Sequence, residues 1–234
     1  MSYLEVAEQG RGFSRSNLTG AQDYEQRLEI DADDAACLIR HVSADEPATV
    51  IGNSSGAIVA LKFLIRHPEL TRTLISYEPP AAKLLPDFEE LLDQQQEVYD
   101  TYRRCGMGPA FEKFARMTKA DPAIVASMAD PRSSPFFFFN TQYWFEREFM
   151  YYPKADFDVD KELRPLKEKL MIVNGELSSR EPYQYRANAA LAERLGLELL
   201  HFPGEHVGHA THAQQFARTL LEALKARDSF YAKV

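Results

Sequence analysis

Cysteine is almost absent from this chain. Its 234 residues include only Cys37 and Cys105, with no C-x-x-C spacing. That excludes a disulfide framework and leaves reduced, structural thiols as the reading. Basic charge is in deficit: 27 Lys and Arg stand against 35 Asp and Glu, for a formal charge of −8. This excess of acid argues against a nucleic-acid partner and against an anionic membrane surface. No apolar run approaches the ~20 residues of a membrane-crossing helix. The opening MSYLEVAEQGRGF has no basic flank followed by an apolar core, so no signal peptide is expected. Repeats and low-complexity tracts are missing too. Together these absences point to a reducing compartment, the cytoplasm.

What is present is an ordinary globular composition, 45% hydrophobic and 26% charged, in a length that suits one large domain or a core carrying an inserted lobe. Strand-like and helix-like segments alternate. Thr49–Ile51 reads as a buried strand, and Ala57–His67 as a helix halted before Pro68. Thr73–Tyr77, Leu170–Val173 and Leu197–Phe202 read as further strands. A helix is expected near Tyr185–Leu195, stopped by Gly196. Leu28, Ala32, Ala35, Ile39 and Val42 form one helical face, as do Phe216, Ala217, Leu220, Leu221 and Leu224 near the end. Such alternation predicts a parallel sheet covered by helices. From about Ala82 to Pro165 it breaks into expected helices at Asp87–Arg104, Pro109–Lys119, Pro122–Met128 and Phe136–Tyr152. The predicted division is 1–81 as the first part of the core, 82–165 as a helical lid and 166–234 as the rest of the core. The lid's FFFFNTQYWFEREFMYY run would supply lid core on some faces and an apolar wall over a pocket on others. Trp144 and Phe145 are the candidates for substrate contact.

At the first strand-to-helix junction stands Gly52-Asn53-Ser54-Ser55-Gly56. It fits G-x-S-x-G only with Ser54 at the centre, and it lies between a strand and a helix as that motif requires. A tight turn there exposes the Ser54 hydroxyl above the sheet. The Ser55 N–H, at a helix N-terminus, then faces the space where negative charge would develop. Small residues are expected at both glycine positions.

The segments RGFSRS, TVIGNSSGAIVALKFLIRHPELTRTLISYEPP and FPGEHVGHATHAQQFARTL resemble the α/β-hydrolase superfamily, in its lid-bearing branch of small-molecule serine hydrolases. The resemblance runs from about Arg11 to Leu224. It implies a mostly parallel sheet flanked by helices, an inserted helical lid, and a Ser–acid–His triad in that chain order. Ser54 takes the nucleophile's place, and His206, in Pro203-Gly204-Glu205-His206, that of the base. A metal site from His206, His209 and His212 is not favoured, because no carboxylates or cysteines stand at ligand spacing. The family's usual acid slot holds Ser178, in Gly175-Glu176-Leu177-Ser178. Two carboxylates compete to replace it: Glu78, after the strand that follows the elbow helix, and Glu176. Glu78 is preferred, since some members of the superfamily place their acid there.

The family's early strands have no counterpart ahead of RGFSRS, so the N-terminal part is expected to be truncated. Tyr3–Ala7 would slide beside Thr49–Ile51 or form no strand, and the amides of Gln9–Phe13 would then replace a missing oxyanion donor near Ser54. The expected function is hydrolysis of an ester, thioester or related acyl bond in a small, fairly apolar molecule, with no cofactor or metal. The alternative is a weak or inactive member that binds a small ligand under its lid. The expected partner is a small-molecule substrate, with a homodimer left open.

Overall fold

The computed structural model describes residues 10–43, 46–120, 125–126 and 129–233. The expectations for Tyr3–Ala7 and for most of Pro122–Met128 lie outside the described residues. Among the described residues no helix is long and apolar enough to cross a membrane.

Four strands form one parallel sheet in chain order: β1 (Ala48–Asn53), β2 (Thr71–Tyr77), β3 (Leu170–Gly175) and β4 (Leu199–Phe202). Their side chains alternate between two faces, as the pleat demands. Val50, Leu74, Leu170 and Ile172 face α1 (Arg27–Ser43), α2 (Ser55–Arg66) and α6 (Tyr183–Leu195). Ile75, Tyr77, Met171, Val173 and Phe202 face α7 (Ala213–Arg227) through Phe216 and Leu224. The sheet is thus covered on both sides, as a parallel sheet requires. Gly196 ends α6 in the left-handed region, at φ 65°, where a side chain would be strained.

Two expectations are corrected here. β1 is not a buried strand: it forms one edge of the sheet among the described residues, and Thr49 and Ile51 are exposed. β-Branched composition identifies a strand but not its rank in the sheet. The two cysteines are exposed rather than packed in the core.

Between β2 and β3 lie α3 (Phe88–Cys105), α4 (Met107–Thr118) and α5 (Phe137–Arg147). With the residues just after α5 they build a third hydrophobic cluster, apart from the two on the sheet faces, from Val98, Ala110, Phe111, Phe137, Phe145 and Phe149. The segment after it rejoins the main core through Tyr152, Phe157, Val159 and Leu163. The loop 10–16 ties this insertion to α1. Arg11 pairs with Asp34, the Arg27 guanidinium donates to the Arg11 carbonyl at 2.8 Å, and the Ser14 N–H donates to Asn140 Oδ1 at 2.7 Å.

Candidate active site

Parallel strands bring their carboxyl ends to one edge of the sheet, where sites in such folds collect. The turns after β1, β2, β3 and β4 carry Ser54, Glu78, Ser178 and His206, and all four line one cavity.

Ser54 connects β1 to α2 with φ 55° and ψ −127°. Such a backbone is strained for a residue with a Cβ, by about 1–3 kcal/mol, and persists only where its surroundings enforce it. The Ser54 N–H donates to the Tyr77 carbonyl at 3.0 Å, and its own carbonyl accepts from the Ala57 N–H at 2.9 Å. Gly52 is required beneath the turn: a Cβ there would lie 2.5 Å from the Gly56 oxygen and 2.7 Å from the Ala57 Cα. Gly56 is not required in this way, because a Cβ there would meet nothing within 4 Å. The expectation that both positions must be small therefore holds only for Gly52.

Glu78 also has a positive φ, 45°, and is 1% exposed. Its Oε2 lies 2.7 Å from His206 Nδ1, and its Oε1 accepts the Gly175 N–H at 2.8 Å. Burial pushes this carboxyl up. The hydrogen bond and charge of His206, with Ser178 and the Gly175 N–H, outweigh burial and hold it below the ordinary glutamate value. The Ser178 hydroxyl favours the charged carboxylate from close by, yet its buried Oγ closes no hydrogen bond. With the Nδ1 proton held toward Glu78, His206 keeps Nε2 for a second partner. Glu176 is exposed, and its N–H donates to the Phe202 carbonyl at 2.8 Å. Among the described residues its side chain makes no hydrogen bond or ion pair with His206.

Two residues that no sequence pattern marks hold the histidine loop. Asn53 Nδ2 donates to the His206 carbonyl at 2.9 Å, and the Tyr77 hydroxyl donates to the Glu205 carbonyl at 2.6 Å. Ser54 and His206 share the cavity, but no hydrogen bond joins them. Such contacts are often long in unliganded sites and close when substrate binds.

The cavity's far wall is apolar, formed by Phe111, Phe114, Val125 and Trp144 from the insertion. Trp144 is therefore at the site. Phe145 is not: it is fully buried inside the insertion, stacked on Tyr102 at 4.3 Å. Adjacent residues on a helix point ~100° apart, so the two rings cannot face the same space. The loop 10–16 does not line the cavity either, and the Gly12 N–H donates to the Ser16 carbonyl at 2.7 Å. Among the described residues 10–13, none lines the cavity, and Gln9, the first residue of the expected replacement donor, lies outside the described residues.

No family model matches the chain. It is 31% identical over 224 residues to YraK, an uncharacterized hydrolase of Bacillus subtilis (strain 168), covering 95% of this chain and 79% of the relative. A thermophilic esterase from Thermogutta terrifontis superposes with a TM-score of 0.66 at 19% identity, over 93% of this chain and 78% of that one. A structure from a study of carboxylesterases of Nitrososphaera gargenis gives 0.63 at 18% identity, over 94% and 78%. An enol-lactonase from Burkholderia xenovorans LB400 gives 0.58 at 16% identity, over 92% and 78%. At these identities the structures testify to the fold, and the sequence relative carries the kinship. The class is an enzyme with an α/β hydrolase fold. The chain belongs to the α/β-hydrolase superfamily.

Proposed function

We propose that this protein is a serine hydrolase that cleaves an ester, thioester or related acyl bond in a small, fairly apolar molecule, through Ser54, His206 and Glu78. The observation that carries the reading is the convergence of three parts on one apolar-walled cavity: a serine on a strained elbow, a histidine, and a buried carboxylate 2.7 Å from that histidine's Nδ1.

In this mechanism the Ser54 Oγ attacks the acyl carbon as His206 Nε2 takes its proton. The Ser55 N–H stabilises the oxyanion, aided by the positive end of α2. His206 then passes the proton to the departing alcohol or thiol, leaving an acyl-Ser54 ester. Water, deprotonated by His206, attacks that ester, and the proton returns to Ser54 as the acid leaves. Glu78 fixes the imidazole's tautomer and stabilises its charged form. Phe111, Phe114 and Trp144 receive the apolar part of the substrate, which makes the insertion a lid.

The test is labelling by a fluorophosphonate probe, with heat-inactivated protein and the Ser54→Ala variant as controls. The native protein is expected to label, and both controls to stay unlabelled. The unclosed Ser54–His206 contact favours a second reading, a catalytically weak or inactive protein that binds a small ligand in the same cavity. Absence of labelling in the native protein would select it.

A further inference from the structure

One polar side chain in the cavity wall has no role in the proposed chemistry. Gln184 is the second residue of α6, following Pro182 and Tyr183 at the helix start. It lines the cavity and is 8% exposed. Its Oε1 is sealed from solvent and has no hydrogen-bond partner. Its Nε2 also bonds to nothing among the described residues. A half-turn about the terminal torsion exchanges these two atoms, so in either setting the accessible end of the amide, the one not sealed in the wall, has no protein partner.

Several other polar groups of that wall are already engaged. The Tyr183 hydroxyl accepts from Gln95 Nε2 at 3.3 Å, the Thr118 hydroxyl donates to the Phe114 carbonyl at 2.9 Å, and Lys119 pairs with Glu181. Glu78 is held by His206 and Gly175. The Ser178 Oγ is also buried without a closed hydrogen bond in the same wall, but it lies beside the Glu78 carboxylate, whereas Gln184 has no such neighbour. Native proteins pair most of the polar groups they bury, and an amide whose accessible end on a cavity wall has no protein partner is placed to take one from the ligand. A leucine or methionine would fill the space without this penalty.

We infer that Gln184 is a specificity residue, and that the substrate carries an uncharged group able to donate and accept a hydrogen bond, a hydroxyl in the simplest case, against the start of α6. The apolar portion lies opposite, on Phe111, Phe114 and Trp144. A charged group is disfavoured, because Gln184 is neutral and cannot compensate the loss of hydration of an ion. This inference rests on the proposed hydrolase reading for the location of the reacting bond, but not for the polar contact itself.

The experiment compares the native enzyme with Gln184→Met, which keeps length and removes both polar atoms, and with Gln184→Glu. Substrates are methyl hexanoate and methyl 2-, 3- and 6-hydroxyhexanoate, with acid release followed in a pH-stat. The native enzyme should favour at least one hydroxylated ester over the plain one by about tenfold in kcat/KM, mainly through KM. Gln184→Met should remove that preference, and Gln184→Glu, which still accepts from a hydroxyl, should keep part of it. No preference in the native enzyme, or the same preference in Gln184→Met, would overturn the inference. So would a Tm that falls by many degrees in Gln184→Met, because it would give the amide a structural role. Calorimetric binding of the same esters to Ser54→Ala and to Ser54→Ala with Gln184→Met separates the two readings. Gln184-dependent binding without hydrolysis by the native enzyme would end the catalytic reading and keep this one. Hydrolysis that ignores Gln184 would do the reverse.

Discussion

Replacing Glu148 by glutamine should make the protein more stable, and the gain should grow with pH. Glu148 follows α5 and is 8% exposed. The Arg27 guanidinium nearest to it is already engaged. Its Nε donates to Asp31 at 2.8 Å, one terminal nitrogen reaches the Tyr143 hydroxyl, and the other donates to the Arg11 carbonyl at 2.8 Å. Glu148 stands 3.8 Å from that last nitrogen with no hydrogen bond to it. The Tyr152 hydroxyl goes to Asp31 instead. Burial first, then the neighbouring Asp31 charge, push the Glu148 carboxyl up from 4.5 to about 8, against the pull of Arg27. Burial also pushes Asp31 up. A carboxyl whose folded pKa is raised stabilises the fold while protonated in it. That contribution is fully present below about 4.5 and is lost as pH rises to about 8. At ~1.4 kcal/mol per pH unit, the loss between pH 5.5 and 8 has a ceiling near 3 kcal/mol, and relaxation around the charge should reduce it to roughly 2. Glutamine copies the protonated shape and never ionises. Urea unfolding at pH 5.5, 7 and 8.5 should therefore give the variant an advantage of at most ~1.4 kcal/mol at the lowest pH, one unit above the unfolded value, and a widening advantage above it. Thermal unfolding at pH 8.5 should show about 4–8 °C in its favour. A variant less stable than the native protein at pH 8.5, or a native profile flat from 5.5 to 8.5, would refute the argument.

Three further outcomes are expected. Glu78→Gln should lower kcat on an ester by about 10⁴ with little change in Tm, while exposed Glu176→Gln changes it only a few-fold; the opposite ranking would move the acid to Glu176. Trp144→Ala should raise KM or change acyl chain-length preference at modest cost to stability, whereas Phe145→Ala should destabilise by about 3–5 kcal/mol because it empties a packed interior. Urea midpoints and KM values together check that contrast, and a stable Phe145→Ala with altered KM would contradict it. Gly52→Ala should disrupt the elbow and the fold through its backbone clashes, while Gly56→Ala, in helix α2 with open space around it, should gain up to ~1 kcal/mol and retain activity.

The elbow was legible because its demands are local. A strand, a tight turn and a helix must follow one another, and Gly52, Ser54 and Ser55 express that within a few positions. The strand–helix alternation was legible for the same reason, since each element carries its own periodicity. The choice between Glu78 and Glu176 was legible only as a preference for Glu78, because both follow strands and both lie near the right place along the chain. Only the pairing of β2 with β3, and the seating of the β4 turn over both, puts Glu78 under His206 and leaves Glu176 in water. Contiguous aromatics conceal which ring faces a pocket, so Trp144 and Phe145 looked alike until α3, α4 and α5 packed together. A β-branched strand does not declare that it will be an edge, as β1 is. Gln184 carries no motif at all. The sequence by itself determined the strand–helix alternation, the elbow and the place of Ser54 at its centre, because these depend on neighbours in the chain. Tertiary structure decided which carboxylate meets His206, which residues wall the cavity and which amide is left unpartnered, because each depends on contacts between residues far apart in the chain.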